Sequence, residues 1–264
     1  LGGLPQVHTF ALTALPLLPR YGGGRVGYTA RCNPRKLIEL MKKHRPQLFI
    51  GVPSMLGALL AVKSATADDW KSFRYVICGG EPLPQAVYDG FKDKLNIKIN
   101  EGYGLTETSP VTNWSTPENT RLHSVGLPLP NVQNFIVDDD NQLLGRNQEG
   151  EILIAAPSVM KGYYQLPELT DQVILTLDVP DDPNIGSSGP RAKRGGSTRC
   201  FRTGDIGKID EDGYLYITGR KKEMLIIAGE NVFPREIEEV LNLHETVHAS
   251  AVIGKQDGSR GEVA

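Results

Sequence analysis

Residues 47–62 have the sequence QLFIGVPSMLGALLAV, a short apolar run followed by Pro53 and a longer run of helical character. The pattern returns at 74–95, RYVICGGEPLPQAVYDGFKDKL. Alternation of this kind is typical of a parallel sheet covered by helices, whose ligands bind beyond the carboxyl ends of the strands. Two polar loops are predicted at that edge, after the strand-like runs FRYVI and NIKI: CGGEPLP at 78–84 and NEGYGLTETSP at 100–110.

The pattern changes after residue 125, where β-branched and aromatic runs alternate with turns. VQNFIV at 132–137, EILIAA at 151–156 and the segment 207–220 predict antiparallel hairpins. REIEEVLNL follows Pro234 with a 3.6-residue apolar period and predicts a helix. HASAVIG at 248–254 predicts a further strand.

One stretch interrupts this order. Residues 178–200 are rich in Gly, Pro, Ser and charge and lack an apolar period, which predicts a flexible loop. We predict an α/β protein, α+β overall, in three parts. These are a parallel sheet-and-helix part at 1–125, a small antiparallel β part at 126–221 and a small α+β part at 222–264.

Composition narrows the function classes. The 264 residues carry a net charge of −2 with both signs dispersed, so nothing favours binding to nucleic acid. Three separated cysteines form no CxxC pair, which favours a reducing compartment and hence a cytoplasmic location. The apolar stretch 48–62 is shorter than the roughly 20 residues that span a bilayer and is interpreted as core. Leu1 and the final GEVA both suggest that the sequence is cut from a longer chain.

Several motifs admit two interpretations. The two glycines, two threonines and two glutamates of NEGYGLTETSP fit either a capped surface turn or the wall of a phosphate and metal site. HETVH at 244–248 matches a zinc motif, but the helical pattern ends near Leu243, so a helix-to-strand connection is favoured. SVMK at 158–161 lacks its SDN and KTG partners, and GYG at 102–104 lacks the third glycine of a dinucleotide fingerprint.

Three segments in order resemble the motif series of the adenylate-forming (AMP-binding) superfamily. They are YGLTETSP, GEILIAAPSVMKGYY at 150–164 and FRTGDIGKIDEDGYLYITGRKKEMLIIAGENVFPREIEEVL at 201–241. GGEPLP, GRKKEM and AGENVFP look most like fatty acyl-CoA synthetases, the long-chain-fatty-acid–CoA ligase type. The resemblance covers nearly the whole chain except 178–200, where a surface insertion and a gene-model error both fit.

The resemblance implies a fold, a reaction and its substrates. The chain would be the C-terminal part of a large AMP-binding domain followed by the start of a small C-terminal domain. A fatty acid and ATP would give acyl-AMP and diphosphate, and coenzyme A would then displace AMP. ATP, Mg²⁺ and coenzyme A are thus implied. Because the implied fatty-acid substrates are hydrophobic, peripheral contact with a membrane is an open alternative. Formation of a homodimer is a second open alternative.

The resemblance also implies site residues. Thr106 would donate to a phosphate oxygen, Glu107 would bind Mg²⁺, and Tyr103 would face adenine, with Gly102 and Gly104 passing close to the nucleotide. The remaining implied nucleotide-binding residues are Gly79, Gly80 and Glu81 beside adenine and the acyl carboxylate, Asp205 on the ribose hydroxyls, Arg220 near ribose and phosphate, and Gly229 on the coenzyme A channel in a second conformation.

Two further implied features lie away from the nucleotide. Lys222 would be the hinge between the two domains, although a lysine in a charged run is usually only solvated. The LPQVHTFAL segment at 4–12 would place His8 and Phe10 at the acyl carboxylate and its tunnel, while His8 also fits a packed core residue.

Two catalytic parts of the family are expected outside this sequence. The phosphate loop with its lysine should precede residue 1, and the adenylation lysine should follow residue 264. We therefore predict little ligase activity for the chain alone, because the diphosphate would be neither positioned nor neutralised. An aryl-acid ligase, an acyl-AMP ligase that serves a carrier protein, and a non-catalytic nucleotide-binding remnant remain alternatives.

Overall fold

The computed structural model describes residues 1–29, 32–180, 196–227, 230–244, 246–247, 250–257 and 261–264. The chain divides into two compact units. The first consists of Leu1–Pro130 with Ala156–Lys161, and the second of Asn131–Ala155 with Gly162–Ala264. Helices and strands occur in both, so the predicted α/β class is confirmed. The predicted part boundaries at 125/126 and 221/222 stay predictions.

The first unit contains the predicted sheet, with strands in the order β1-β2-β3-β4-β5. The first three strands are parallel, as expected, and the last two continue the sheet in antiparallel pairing. Because β1, β2 and β3 run in the same direction, their carboxyl ends share one edge. The strands are β1 Leu48–Gly51, β2 Tyr75–Gly79, β3 Asn100–Tyr103, β4 Asn113–Trp114 and β5 Leu127–Pro128.

Helices of the first unit bury their apolar faces on this sheet. Asn33 begins α3 by accepting the Lys36 amide at 3.2 Å, and the left-handed Arg45 ends it. The core centres on Trp70, whose ring contacts that of Phe91 edge-on at 5.0 Å. The helices are α1 Thr9–Leu12, α2 Leu18–Tyr21, α3 Pro34–His44, α4 Pro53–Leu60, α5 Ala67–Trp70 and α6 Gln85–Leu95, with a π-helical turn at Thr13–Leu17.

The third strand differs from the prediction. The sequence placed a strand at NIKI and a loop from residue 100, whereas β3 is NEGY, Asn100–Tyr103. Backbone pairing decides this, since β2 pairs with β3 from Ile77 to Gly79 and β4 pairs with Gly102 and Tyr103. Glu101, Gly102 and Tyr103 therefore sit on a strand held from both sides, not in a free loop.

The second unit contains a sheet in the order β10-β9-β7-β6, with β8 paired to β9. Both predicted hairpin regions are confirmed as antiparallel pairs. Phe135, Leu153, Leu177 and Cys200 form the core on one side. The elements are β6 Gln133–Val137, β7 Gly150–Ala155, α7 Pro167–Val173, β8 Ile174–Val179, β9 Gly196–Ile209 and β10 Leu215–Arg220.

The predicted flexible loop 178–200 is wrong at both ends. Residues 178–179 end β8 and residues 196–200 begin β9, in a continuous register from Ile174 opposite Phe201 to Val179 opposite Gly196. Burial of Leu177, Val179 and Cys200 explains the pairing, because one face of these strands covers apolar core. The rest of the predicted loop, residues 181–195, lies outside the described residues.

A separate sheet in the order β12-β11-β14-β13 follows. The predicted helix is confirmed with Pro234 in its first turn. The strand predicted at HASAVIG is wrong for its described residues 250–254, because the Val252 amide donates to the Glu238 carboxylate at 2.8 Å and not to a neighbouring strand. The elements are β11 Leu225–Ile227, β12 Glu230–Val232, α8 Pro234–Asn242, β13 Lys255–Asp257 and β14 Gly261–Val263.

Within the described ranges, none of the helices has both the length and the apolar character that a bilayer span requires. The apolar stretch 48–62 contains β1 and α4, and its Phe49, Leu56 and Leu59 are fully buried, as the interpretation as core predicts.

Candidate functional site

The carboxyl ends of β2 and β3 approach each other very closely. Gly79 lies opposite Gly102 in the parallel register, and a β-carbon added to Gly79 would lie 2.9 Å from the Gly102 carbonyl oxygen. Real β-carbons do not tolerate that distance, so Gly79 is required by strand packing. Gly80 and Glu81 follow it into solvent. The predicted positions Gly79, Gly80, Gly102 and Tyr103 therefore share one edge of the sheet.

The turn after β3 presents one threonine and buries the other. Thr108 is fully buried, and its hydroxyl lies 3.0 Å from the Leu105 amide and 2.9 Å from the Leu105 carbonyl. This anchor fixes the 3-10 turn Thr106–Thr108 and leaves Thr106 exposed and Glu107 half-buried. Sequence reasoning missed Thr108, although the T-x-T spacing is the signal that could have revealed it.

Two backbone contacts hold this turn in place. A β-carbon on Gly104 would lie 1.8 Å from the Pro110 carbonyl oxygen, so Gly104 is needed for the chain to pass its own backbone. The Glu107 carbonyl accepts the Met160 amide at 2.7 Å. The segment SVMK thus supports the loop that carries Glu107, which is a structural role that its chance resemblance to another motif did not indicate.

The segment 4–12 meets the same edge. The Thr9 and Thr106 hydroxyl oxygens lie 3.1 Å apart across 97 positions of sequence. Phe10 lies beside Gly79, with its ring 3.7 Å from the position that a Gly79 β-carbon would occupy. The structure therefore brings Phe10, one of the two predicted acyl-pocket residues, to the predicted nucleotide loops.

His8 occupies the start of α1. Its Nδ1 accepts the Phe10 amide at 3.3 Å and so caps the helix. The side chain is exposed, so the alternative of a packed core histidine is wrong. The exposed imidazole edge is available to a ligand.

Cys78 lies on β2 directly before Gly79. Burial raises the pKa of Cys78, and the Glu101 and Glu81 carboxylates raise it further. The thiol therefore stays neutral at physiological pH, and its buried position on β2 makes it part of the core.

The second unit carries the other predicted nucleotide residues. Asp205 on β9 lies directly opposite Arg220 on β10, and the Arg220 Nε is 3.2 Å from the Asp205 carboxylate. Asp205 is 4% exposed, and its amide donates to the Thr203 hydroxyl at 3.0 Å. A buried carboxylate with a fixed counter-ion is oriented to accept hydrogen bonds.

The remaining predicted positions have mixed outcomes. Lys222 is exposed in the 3-10 turn Lys221–Glu223 that follows β10. Gly229 lies outside the described residues, as do Glu245 and His248 of HETVH. Helix α8 ends at Asn242, before His244.

A cluster of charges in the second unit was not found from the sequence. Glu151, 3% exposed, pairs with Arg202 at 2.6 Å and with Lys221 at 3.3 Å. Lys221 also pairs with Asp139 at 2.8 Å, and Arg202 bonds to the Asn141 side chain. The available signal was Glu151 itself, an acidic residue inside the buried run of EILIAA.

Comparison with known proteins decides the family. Residues 1–164 match the family model described as AMP-binding enzyme. The chain belongs to the AMP-binding enzyme family. The resemblance inferred from the ordered motifs is thereby confirmed. The roles of individual residues in this AMP-binding enzyme stay predictions.

Relatives of this AMP-binding enzyme support the same conclusion. A long-chain-fatty-acid–CoA ligase of Escherichia coli O157:H7 is 36% identical over 265 residues, which cover 98% of this chain and 43% of the relative. MatB from Rhodopseudomonas palustris, solved as a crystal structure with ATP bound, is 31% identical in sequence and superposes with a TM-score of 0.84. The match covers 98% of this chain and 47% of that chain.

A third relative was solved with an acyl-adenylate. It is o-succinylbenzoate CoA synthetase (MenE) from Bacillus subtilis in complex with the intermediate OSB-AMP, 26% identical with a TM-score of 0.81, covering 99% of this chain and 49% of that chain. This AMP-binding enzyme sequence thus spans less than half the length of each relative.

Proposed function

We propose that the protein is an ATP-dependent acyl-CoA ligase acting on fatty acids. The observation that carries the proposal is the edge formed by Thr106, Thr9 and Phe10 in the first unit. It places two hydroxyls next to an aromatic ring at the carboxyl ends of a parallel sheet. An acyl phosphate joins an anion to an apolar chain, so it needs donors and apolar surface side by side.

The proposed reaction has two steps. A carboxylate oxygen of the acid attacks the α-phosphorus of ATP, the bond to diphosphate breaks, and acyl-AMP forms. The sulfur of coenzyme A then attacks the acyl carbon, its proton passes to solvent, and the bond to AMP breaks. Thr106 donates to a phosphate oxygen where charge grows, while His8 and Phe10 orient the acyl carboxylate and the start of its chain.

Magnesium fits the proposed site as a companion of the phosphates. Within the described ranges, no group of three or more His, Cys, Asp or Glu side chains could hold a metal ion without help. Mg²⁺ in nucleotide sites is commonly held by one or two carboxylates together with phosphates and water. Glu107, half-buried beside exposed Thr106, would supply that carboxylate, and the ion when bound would neutralise phosphate charge.

The second unit supplies the proposed sugar contacts. Asp205 is buried and held by Arg220, so its carboxylate can accept both ribose hydroxyls without reorganisation. Lys222 is the proposed hinge, and Gly229 the proposed coenzyme A contact. The substrates are small molecules, and we propose a cytoplasmic location.

The acid class has a second candidate. The relative solved with OSB-AMP names o-succinylbenzoate as its acid, which favours an aryl-acid ligase as the alternative. Transfer of acyl-AMP to a carrier protein and a non-catalytic remnant are the other outcomes that an assay must separate.

Diphosphate release by the protein as its gene encodes it tests the proposal. Fatty acids of graded length and aromatic acids are compared, with and without coenzyme A. We expect release with fatty acids and acyl-CoA as product. Glu107→Gln should lower the rate on the order of 100-fold, the scale of a lost electrostatic contact in a transition state. Glu118→Gln, an exposed glutamate of the same unit, is the matched control.

Each contrary outcome has a definite meaning. Faster release with aromatic acids would replace the fatty-acid proposal with the aryl-acid ligase. Release without acyl-CoA formation would indicate transfer to a carrier. Absence of diphosphate release with every acid would favour the alternative of a non-catalytic nucleotide-binding remnant.

A further inference from the structure

The buried carboxylate of Glu151 is the starting point. Its side chain is 4% exposed on β7, and its Oε2 contacts two cations, Arg202 Nη1 at 2.6 Å and Lys221 Nζ at 3.3 Å. A buried charge without partners is strongly unfavourable, so the two cations stabilise this carboxylate. Arg202 lies in β9, but Lys221 lies in the turn that leaves β10. Glu151 thus ties that turn to the sheet.

Lys221 contacts two carboxylates, an exposed one on Asp139 and a buried one on Glu151. Its hydrogen bond to Asp139 is the main cause that raises the pKa of Lys221, and the charge of Glu151 contributes as well. The Asp139 side chain is 90% exposed, however, so water screens that pair and it fixes geometry poorly. Buried Glu151 is therefore the contact that determines where Lys221 sits.

Arg220 and Lys221 are successive residues whose carboxylate partners lie on opposite faces of the sheet. Asp205 lies opposite Arg220, while Glu151 lies opposite Ile206, the next residue of β9. Neighbouring residues of a strand point to opposite faces, so Asp205 and Glu151 lie on different faces. Arg220 is extended and pairs with Asp205 on one face, and Lys221 pairs with Glu151 on the other.

We propose that Lys221 is a positioning residue that, with Glu151, clamps the end of β10 so that backbone movement begins at Lys222. The clamp rests on the proposed function, since it sets the pivot for the change between adenylation and thioester formation. Lys222 is exposed and comes directly after the clamp. Without the ion pair of Lys221 with Glu151, the backbone movement would extend back into β10. It would then disturb Arg220, which pairs with Asp205.

Two measurements on the protein as its gene encodes it test the clamp. The variants are Lys221→Met, which removes the charge, Lys221→Arg, which keeps it, and Lys208→Met as the control. Lys208 is exposed on β9 and forms no ion pair with any residue that the structure describes. Amide hydrogen exchange is followed across residues 216–224, and the rates of acyl-AMP and acyl-CoA formation are measured separately.

The expected result is selective. In Lys221→Met the amides from 219 to 222 exchange faster, and the ratio of thioester rate to adenylation rate changes about fivefold or more, the scale of coupling between ion-paired residues. Lys221→Arg and the control keep both quantities near those of the wild type.

Two results would overturn the inference. In the first, the rates of acyl-AMP and acyl-CoA formation by Lys221→Met both fall by the same factor as the folded fraction. That result would show that Lys221 only stabilises the fold. The other is unchanged exchange at 219–222. If the wild type forms no acyl-AMP, the proposed function has failed, and the exchange measurement alone decides whether the clamp exists.

Discussion

Thr9 and Thr106 illustrate what single residues contribute. Thr106 was predicted from its motif, whereas Thr9, 97 positions away, was not, because a lone threonine after a histidine has no distinctive spacing. The two hydroxyl oxygens are 3.1 Å apart, so one donates to the other. If Thr9 donates, the Thr106 proton is left for the phosphate oxygen of the proposed function.

We therefore expect Thr9→Val to weaken adenylation. The change removes the hydroxyl and keeps the shape, so the loss should match one hydrogen bond, roughly two- to tenfold in kcat/KM for ATP. Thr9→Ser keeps the hydroxyl and serves as the control. ATP–diphosphate exchange measures both. Equal rates in Thr9→Val and the wild type would show that Thr106 needs no such partner.

At the scale of elements, pairing overrode local sequence signals. NEGY resembles a loop because of its glycine and its polar residues, but strands on both sides make it β3. Residues 196–200 resemble a flexible segment and yet begin β9, since β8 supplies partners for them. Helices α4 and α6 were predicted, because the helical apolar pattern of each is a local property of its sequence.

Two glycines of the first unit should respond oppositely to alanine. Gly79→Ala would place a β-carbon 2.9 Å from a backbone oxygen of β3, so the strands must separate, at a cost of about 1–3 kcal/mol in the free energy of unfolding. Gly57→Ala in α4 meets only Val87 at 3.7 Å and should gain about 0.5–1 kcal/mol from helix propensity.

Urea denaturation of both variants checks this pair. The order of midpoints should be Gly57→Ala, wild type, Gly79→Ala. A Gly79→Ala protein as stable as the wild type would show that β2 and β3 can separate without penalty.

At the scale of the whole molecule, binding of ATP should appear as added stability. A ligand that binds only the folded state at 100 times its Kd adds about 2.7 kcal/mol. A gain of that size raises Tm by several degrees in a protein of this length. Asp205→Asn weakens the proposed ribose contact and should remove most of the shift.

Thermal unfolding with and without ATP measures this effect. Asp171→Asn, an exposed aspartate on α7, is the control and should keep the full shift. The quantity compared is the shift in Tm on adding ATP, because Asp205→Asn also breaks the pair with Arg220 and lowers the Tm without ATP. A full shift in Asp205→Asn would place the ribose elsewhere.

The sequence by itself determined the family and the α/β class, and its motifs select Thr106, Glu107, Asp205 and Arg220 as site residues whose roles stay predictions. These follow from ordered motifs and local periodicity, which the chain carries without folding. Tertiary structure alone decided the extent of β3 and β9, the contact of Thr9 with Thr106, and the shared burial of Glu151 with Arg202 and Lys221. Each of these depends on strands or side chains distant in sequence, because hydrogen bonds and desolvated charges find their partners only when the chain is packed.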